Sequence, residues 1–289
     1  MPRTVQGAFE ELVGGLQITS DQREIARTRI RHLGEVLKAA ITMEGQLKVV
    51  GSYARGTQIR QARDIDVLMP LAYANWATHE NDSAAVLRRV RDAIVTPYSQ
   101  STISTAGVAV VMHMTEFDID VVPVFHRTGG GYLMPNGQGR WKSTNPDHHV
   151  ALTEAHARGN AAFRPLVQLM KYWNLRNGHL LRPFHLEMLV ERIWRIGRSN
   201  GNYSRAMTYT FTALPSLIQS AFSDPWEPGG RVDTYLGAPV RIELIHRLNQ
   251  DGARAVVAEQ FLTGLDARNA IAQWKSIFME GFPEYGGWF

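Results

Sequence analysis

The 289-residue chain contains no cysteine. Structural disulfides, thiolate zinc sites and a cysteine nucleophile are therefore excluded, and any metal must be held by carboxylates or histidines. No stretch approaches the roughly 20 apolar residues of a membrane span. Met1 to Gln22 mixes Arg3, Glu10, Glu11 and Asp21 with short apolar runs, without the apolar core of a signal peptide. These absences predict a soluble, cytoplasmic protein with no membrane partner. The Gly-Lys dipeptide of the Walker phosphate loop does not occur, and neither do internal repeats or low-complexity tracts. An excess of one charge is also nearly lacking. Lys and Arg number 31 against 27 Asp and Glu, and the net +4 suits phosphate-bearing partners without implying a dedicated nucleic-acid coat. What is present is ordinary globular composition, 44% hydrophobic and 20% charged, in a length that allows one large domain or two lobes with separate cores.

Thr19, Ser20 and Asp21 offer helix caps, and Ile25, Ile30, Leu33, Val36, Leu37 and Ala40 follow at helical spacing. The pattern predicts one long amphipathic helix ending near Glu44-Gly45. Leu47 to Val50 reads as a short buried strand entering Gly51-Ser52, and Ile65 to Met69 as another. Asp82 caps a helix from Ser83 to about Thr96. Thr102 to Met114 and Phe117 to Val124 read as two further strands, the second ended by Pro123 and the glycines 129–131. Beyond Asn145-Pro146 the periods become helical, at about 147–158, 161–175, 184–196, 206–222 and 253–279. The expected class is α/β (α+β): residues 1–150 a mixed sheet with a long spine helix, and residues 151–289 a helical lobe.

The chemistry-bearing stretch is Gly51-Ser52-Tyr53-Ala54-Arg55-Gly56-Thr57, followed by Asp64-Ile65-Asp66-Val67-Leu68. Glycine and serine at a strand-to-helix turn let backbone N–H groups and a hydroxyl approach a phosphate, because no bulky Cβ intervenes. Two apart on a strand, Asp64 and Asp66 point to one face with Cα atoms about 7 Å apart. Two such carboxylates suit a hard divalent cation completed by water and phosphate oxygens. Alone, they equally fit the polar side of a half-buried strand. A third carboxylate must come from a neighbouring strand: Asp120, with Asp118 on the same face as the alternative. Arg55 and Thr57 are read as shaping the turn, and Arg63 as facing either phosphate or solvent.

This combination of Gly-Ser, Asp-x-Asp and a later strand aspartate before Val-Val-Pro resembles the polymerase-beta-like nucleotidyltransferase superfamily. Gly-Ser-Tyr-Ala-Arg-Gly-Thr with Asp-Ile-Asp-Val-Leu is most similar to the bacterial cGAS/DncV-like nucleotidyltransferases (CD-NTases), the cyclic-oligonucleotide synthases of CBASS anti-phage signalling. The likeness continues through Leu-Met-Lys-Tyr-Trp-Asn around Lys171, Pro183-Phe184-His185-Leu186-Glu187 and Ser223-Asp224-Pro225, spanning about residues 45 to 235. It implies a metal-dependent nucleotidyl transfer with two ions, magnesium or manganese, held by Asp64, Asp66 and Asp120. Gly51, Ser52 and Lys171 are implied to grip a triphosphate and Phe184 to stack on a base. Nucleoside triphosphates, ATP among them, are the implied substrates, no nucleic-acid template is required, and a nucleotide-activated effector lies downstream. One departure is Pro183, where such enzymes carry a serine; proline has no hydrogen to donate.

The resemblance leaves two competing readings, a template-independent CCA-type RNA nucleotidyltransferase and an inactive nucleotide- or RNA-binding module. Other matches are declined. Gly197-Arg198-Ser199-Asn200-Gly201 fits G-x-S-x-G but follows a helix, whereas the hydrolase elbow needs a preceding strand. His148-His149 reads as a helix start, and the sequon at Asn202 has no secretory route to serve.

Overall fold

Thr19 begins the largest helix of the sheet-containing half with a reciprocal cap. Its hydroxyl accepts from the Gln22 N–H at 3.2 Å, and the Gln22 side chain accepts from the Thr19 N–H at 3.1 Å. In the computed structural model, which describes residues 2–195, 201–226 and 230–286, this helix, α2, runs Ser20–Ala40 and is preceded by α1, Val5–Leu16. It stops short of the expected Glu44-Gly45, because Ile41 turns extended and Met43 bridges Leu71.

The sheet follows as β1 (Lys48–Val49), β2 (Asp64–Pro70), β3 (Thr102–Ala106), β4 (Ala109–His113), β5 (Asp118–His126), β6 (Tyr132–Pro135) and β7 (Trp141–Thr144). Between these strands lie α3 (Gly51–Arg55), α4 (Trp76–His79) and α5 (Ser83–Val95). The spatial order is β1-β2-β5-β4-β3, with β6 and β7 continuing from the far end of β5. Only β2 and β5 pair in parallel among the described strands; the other pairs are antiparallel.

One face of the sheet is closed. Ile65, Val67, Ile119 and Val121 pack under Leu33 and Leu37 of α2 and Val90 and Ile94 of α5 in one buried cluster. Strand alternation turns Asp64, Asp66 and Leu68 of β2, with Asp118, Asp120 and Val122 of β5, to the opposite face. There Leu68, Val122, Val124, Val50 and Tyr132 make a smaller cluster, so that face is apolar at one end and acidic at the other.

Two strand expectations need correction. Thr102 to Met114 is a hairpin and not one strand, because Gly107 takes a left-handed φ of 59° and reverses the chain between β3 and β4. Pro123 does not end β5. It lies beyond Val121, the last β5 residue paired with β4, and before Phe125, the first paired with β6, so its missing N–H is not called on by either antiparallel neighbour. The pair β6–β7 was not expected.

The helical half comprises α6 (Pro146–Gly159), α7 (Phe163–Arg176), α8 (Pro183–Trp194), α9 (Tyr203–Gln219), α10 (Ala238–Thr263) and α11 (Ala267–Phe278). Every residue of α7 from Leu166 to Asn174 is buried, as befits a helix surrounded by others. The single helix expected at 253–279 is broken at Gly264-Leu265, where Leu265 has φ 61°, and Asp266 caps α11 by accepting from the Asn269 N–H. The segment 238–252, to which no helix was assigned, forms the first part of α10.

The chain divides into two compact units, Ile18–Ala151 and Met1–Gln17 with Leu152–Phe289. The second boundary lies within a residue or two of the expected 150/151. The first 17 residues, however, join the helical unit instead of the sheet. Phe9 is fully buried, with Trp274 edge-on at 4.9 Å and Phe282 at 5.0 Å. The declined 197–201 loop lies almost wholly outside the described residues.

Candidate active site

The turn after β1 is built around Asp66. The Val50 N–H donates to the Asp66 carbonyl at 2.9 Å, which brings the start of α3 against β2. Gly51 has φ 65°, and a Cβ there would overlap the Asp66 carboxylate oxygen Oδ2 and stand 2.8 Å from its Cγ. Glycine at this position leaves the space the carboxylate occupies. Ser52 follows, half-exposed, and its carbonyl accepts from the N–H groups of Thr57 at 3.0 Å and Gln58 at 3.2 Å, closing the five-residue helix. Arg55 and Thr57 are buried, in keeping with their reading as turn formers.

Gln58 carries a role that the motif did not reveal. Its side-chain amide donates to the carbonyls of Ala62 at 2.9 Å and Asp64 at 2.8 Å, fastening the loop into β2. Arg63 is exposed, which agrees with the solvent-facing reading, and it is also held by the backbone. Its guanidinium donates to the backbone carbonyls of Met114 at 3.0 Å, Glu116 at 3.3 Å and Thr115. It thereby binds the turn before β5, and the Asp118 N–H answers by donating to the Arg63 carbonyl at 2.9 Å.

The parallel register places Asp66 opposite Asp120 and Asp64 opposite Asp118. Adjacent strands are about 4.8 Å apart, so four carboxyl-bearing residues share one patch. Asp64 is exposed and Asp66 and Asp120 half-buried. Burial, then the negative charges of Asp66, Asp64 and Asp118, push the Asp120 carboxyl up to about 6. Asp118 is engaged elsewhere: its Oδ2 lies 3.0 Å from His113 Nδ1, and its Oδ1 accepts from the Met114 N–H at 3.3 Å. That selects Asp120 over Asp118 as the third member of the open patch.

Among the described residues no three acidic or histidine side chains are already gathered as a metal cage. The donors nevertheless fit an open oxygen site. The register sets these carboxylates together, burial and then their mutual repulsion raise Asp120, and hard cations take a few carboxylates and complete their shell from water and phosphate.

The two remaining expected site residues lie in the helical unit. Lys171 is buried on α7 and its Nζ stands 2.8 Å from Glu187 Oε2 of α8. Phe184 is half-buried in the first turn of α8, just after Pro183. The Ser223-Asp224-Pro225 segment forms a tight turn, in which Asp224 Oδ1 accepts from the Trp226 N–H at 2.8 Å. Asn202 caps α9, and the His148-His149 pair lies in the first turn of α6.

A family model described as SMODS, the Second Messenger Oligonucleotide or Dinucleotide Synthetase domain, matches residues 3–156. The chain belongs to the SMODS family. This SMODS chain is 29% identical over 255 residues to a cyclic AMP-AMP-AMP synthase of Acinetobacter sp., covering 81% of itself and 71% of the relative. Its fold matches that of E. coli CdnC solved with ATP, with TM-score 0.79 and 16% identity over 98% of this chain and 100% of the other. It also matches the Vibrio cholerae DncV cyclic AMP-GMP synthase solved with a linear intermediate, with TM-score 0.75 and 14% identity over 98% and 97%. The SMODS chain is thus a CD-NTase, a nucleotidyltransferase of the cyclic-nucleotide synthase group, with their mixed α/β fold. No described helix is long and apolar enough to cross a membrane.

Proposed function

We propose that this chain joins nucleoside triphosphates, ATP among them, into a cyclic di- or oligonucleotide second messenger with release of pyrophosphate, serving anti-phage signalling through a nucleotide-activated effector. The observation that carries the reading is the register of Asp66 with Asp120 beside a Gly51 that a side chain would close. Asp64, Asp66 and Asp120 would hold two divalent ions, magnesium or manganese. Bound there, such ions lower the pKa of an attacking hydroxyl and neutralise charge on the leaving pyrophosphate.

The protein's own part is positioning, which dominates phosphoryl transfer. The Gly51 turn keeps the backbone low and the Ser52 hydroxyl available to donate to a phosphate oxygen. Gln58 and Arg63 fix the two chain segments that carry Asp64 and Asp118 into their strands. Lys171 would act as a point charge toward a triphosphate. Its ammonium is buried and paired with Glu187, so a phosphate would have to share it with that carboxylate. Phe184 would offer a ring face to a base, worth about 1–3 kcal/mol and tolerant of every base.

The test is incubation of purified protein with magnesium or manganese and each combination of the four triphosphates, with mass spectrometry of phosphatase-resistant products. A cyclic product is expected from the wild type and none from the folded double variant Asp64→Asn/Asp66→Asn. Undiminished synthesis by that variant would overturn the site.

A further inference from the structure

Asp118 is a carboxylate in the wrong place for a three-acid site. It faces the same side of the sheet as Asp120, lies opposite Asp64 in register, and adds to the repulsion that raises the Asp120 carboxyl. Left to itself it would be a fourth acid at the patch. The structure shows it bonded to a chain of side chains on the neighbouring strands. His113, at the end of β4, places Nδ1 3.0 Å from Asp118 Oδ2, and on its other side Nε2 lies 3.1 Å from Ser104 Oγ of β3. The second oxygen of Asp118 is occupied by the Met114 N–H. An ionised carboxylate only accepts, so Nδ1 carries the proton. A serine hydroxyl both donates and accepts, so Ser104 satisfies Nε2 whether the ring is neutral or charged.

We propose that His113 is a positioning residue: braced by Ser104, it holds Asp118 back toward β4 so that Asp64, Asp66 and Asp120 alone face the divalent ions. The inference rests on the assignment of those three carboxylates to the cations. Its physical point is charge count. The affinity of an oxygen site for a divalent ion is tuned by the number of charged ligands, and magnesium favours few carboxylates so that substrate phosphate and water complete its shell. A freed Asp118 would add a negative ligand, tighten the bare ion and repel the incoming triphosphate. Ser104→Ala, which removes only the brace, should have a smaller effect in the same direction.

The experiment is a Mn2+ titration of the full-length protein without nucleotide, followed by electron paramagnetic resonance or calorimetry. It compares the wild type with His113→Ala, His113→Asn, Asp118→Asn, His113→Ala/Asp118→Asn and Asp64→Asn/Asp66→Asn. His113→Ala is expected to bind Mn2+ tighter by about threefold or more. His113→Asn, whose amide can still donate to Asp118, should return toward the wild-type value. In the Asp118→Asn background the His113 substitution should change nothing further. A merely structural histidine would lower the melting temperature without moving Mn2+ affinity. Unchanged affinity in His113→Ala, or the same change with and without Asp118, would overturn the proposal while leaving the three-carboxylate site standing. Wild-type Mn2+ binding by Asp64→Asn/Asp66→Asn would remove the site and the proposal with it.

Discussion

Gly51 and Asp120 state the site's demands at the level of single residues. Gly51→Ala introduces a methyl group into the space of the Asp66 carboxylate and holds it at φ 65°. The left-handed backbone alone costs about 1–2 kcal/mol, and the displaced carboxylate adds to it. Thermal or urea unfolding should show the loss, and Gly51→Ala/Asp66→Ala should recover the steric part while leaving the backbone part, a coupling that a double-mutant cycle isolates. Asp120 makes the opposite prediction. Its folded carboxyl titrates at about 6 against an unfolded value near 3.8, so the folded protein retains a proton there that the unfolded chain releases. Stability therefore falls as the pH rises from about 4 through 6, and the cost is fully present above that. In chelator, Asp120→Asn should be more stable than wild type by roughly 1–2 kcal/mol at pH 7.5. The advantage should vanish near pH 4, and a constant difference across that range would show that the charge is not responsible. That Asp64 and Asp66 share one face was legible because strand alternation is a property of short sequence, whereas the register that sets Asp66 beside Asp120 is a long-range pairing of β2 with β5. Gln58, Arg63 and His113 were not legible, since each serves a backbone carbonyl or carboxylate that only the folded turn brings to it.

Elements show where local signals end. Helix α2 announces itself by cap and period, and the cap offered at Thr19 is completed in the structure as a capping box with Gln22. The break between α10 and α11 was hidden because Gly264-Leu265-Asp266 interrupts an otherwise continuous helical pattern only through backbone conformation. Leu265 takes the left-handed turn although it is not glycine, and it is 92% exposed, so its side chain contributes little packing. Leu265→Gly should relieve that strain. After the greater chain entropy of glycine is subtracted, up to about 1 kcal/mol of stabilisation remains, readable as a raised melting temperature with unchanged helicity by circular dichroism. A lower melting temperature would mean that the leucine packs in solution. Likewise β6 and β7 escaped notice because they are short strands set among glycine-rich turns, and what defines them is hairpin pairing, β6 with β5 and β7 with β6.

The division of the whole molecule was legible near residue 150 and illegible near residue 17, for one physical reason. A change from strand to helix periodicity marks a boundary in the local pattern, whereas the membership of α1 is decided by partners at least 151 residues away. Phe9 packs edge-on to Trp274, Phe278 and Phe282, Gln17 donates to Gln168 at 2.7 Å, and Gln6 bonds to both Gly201 and Tyr203. The amino terminus is thus part of the core of the helical unit, and its removal should act there and not on the sheet. Phe9→Ala removes a fully buried ring, a change that costs about 3–5 kcal/mol in a well-packed core. Hydrogen exchange resolves where the loss falls. Amides of α7, α9 and α11 should exchange faster in Phe9→Ala, and those of β2 and β5, which belong to the other core, should keep their wild-type protection. Deletion of residues 1–17 should give the same pattern more strongly. Equal loss of protection in both sets would show that the two units unfold as one, and unchanged exchange in the helices would show that α1 does not support them.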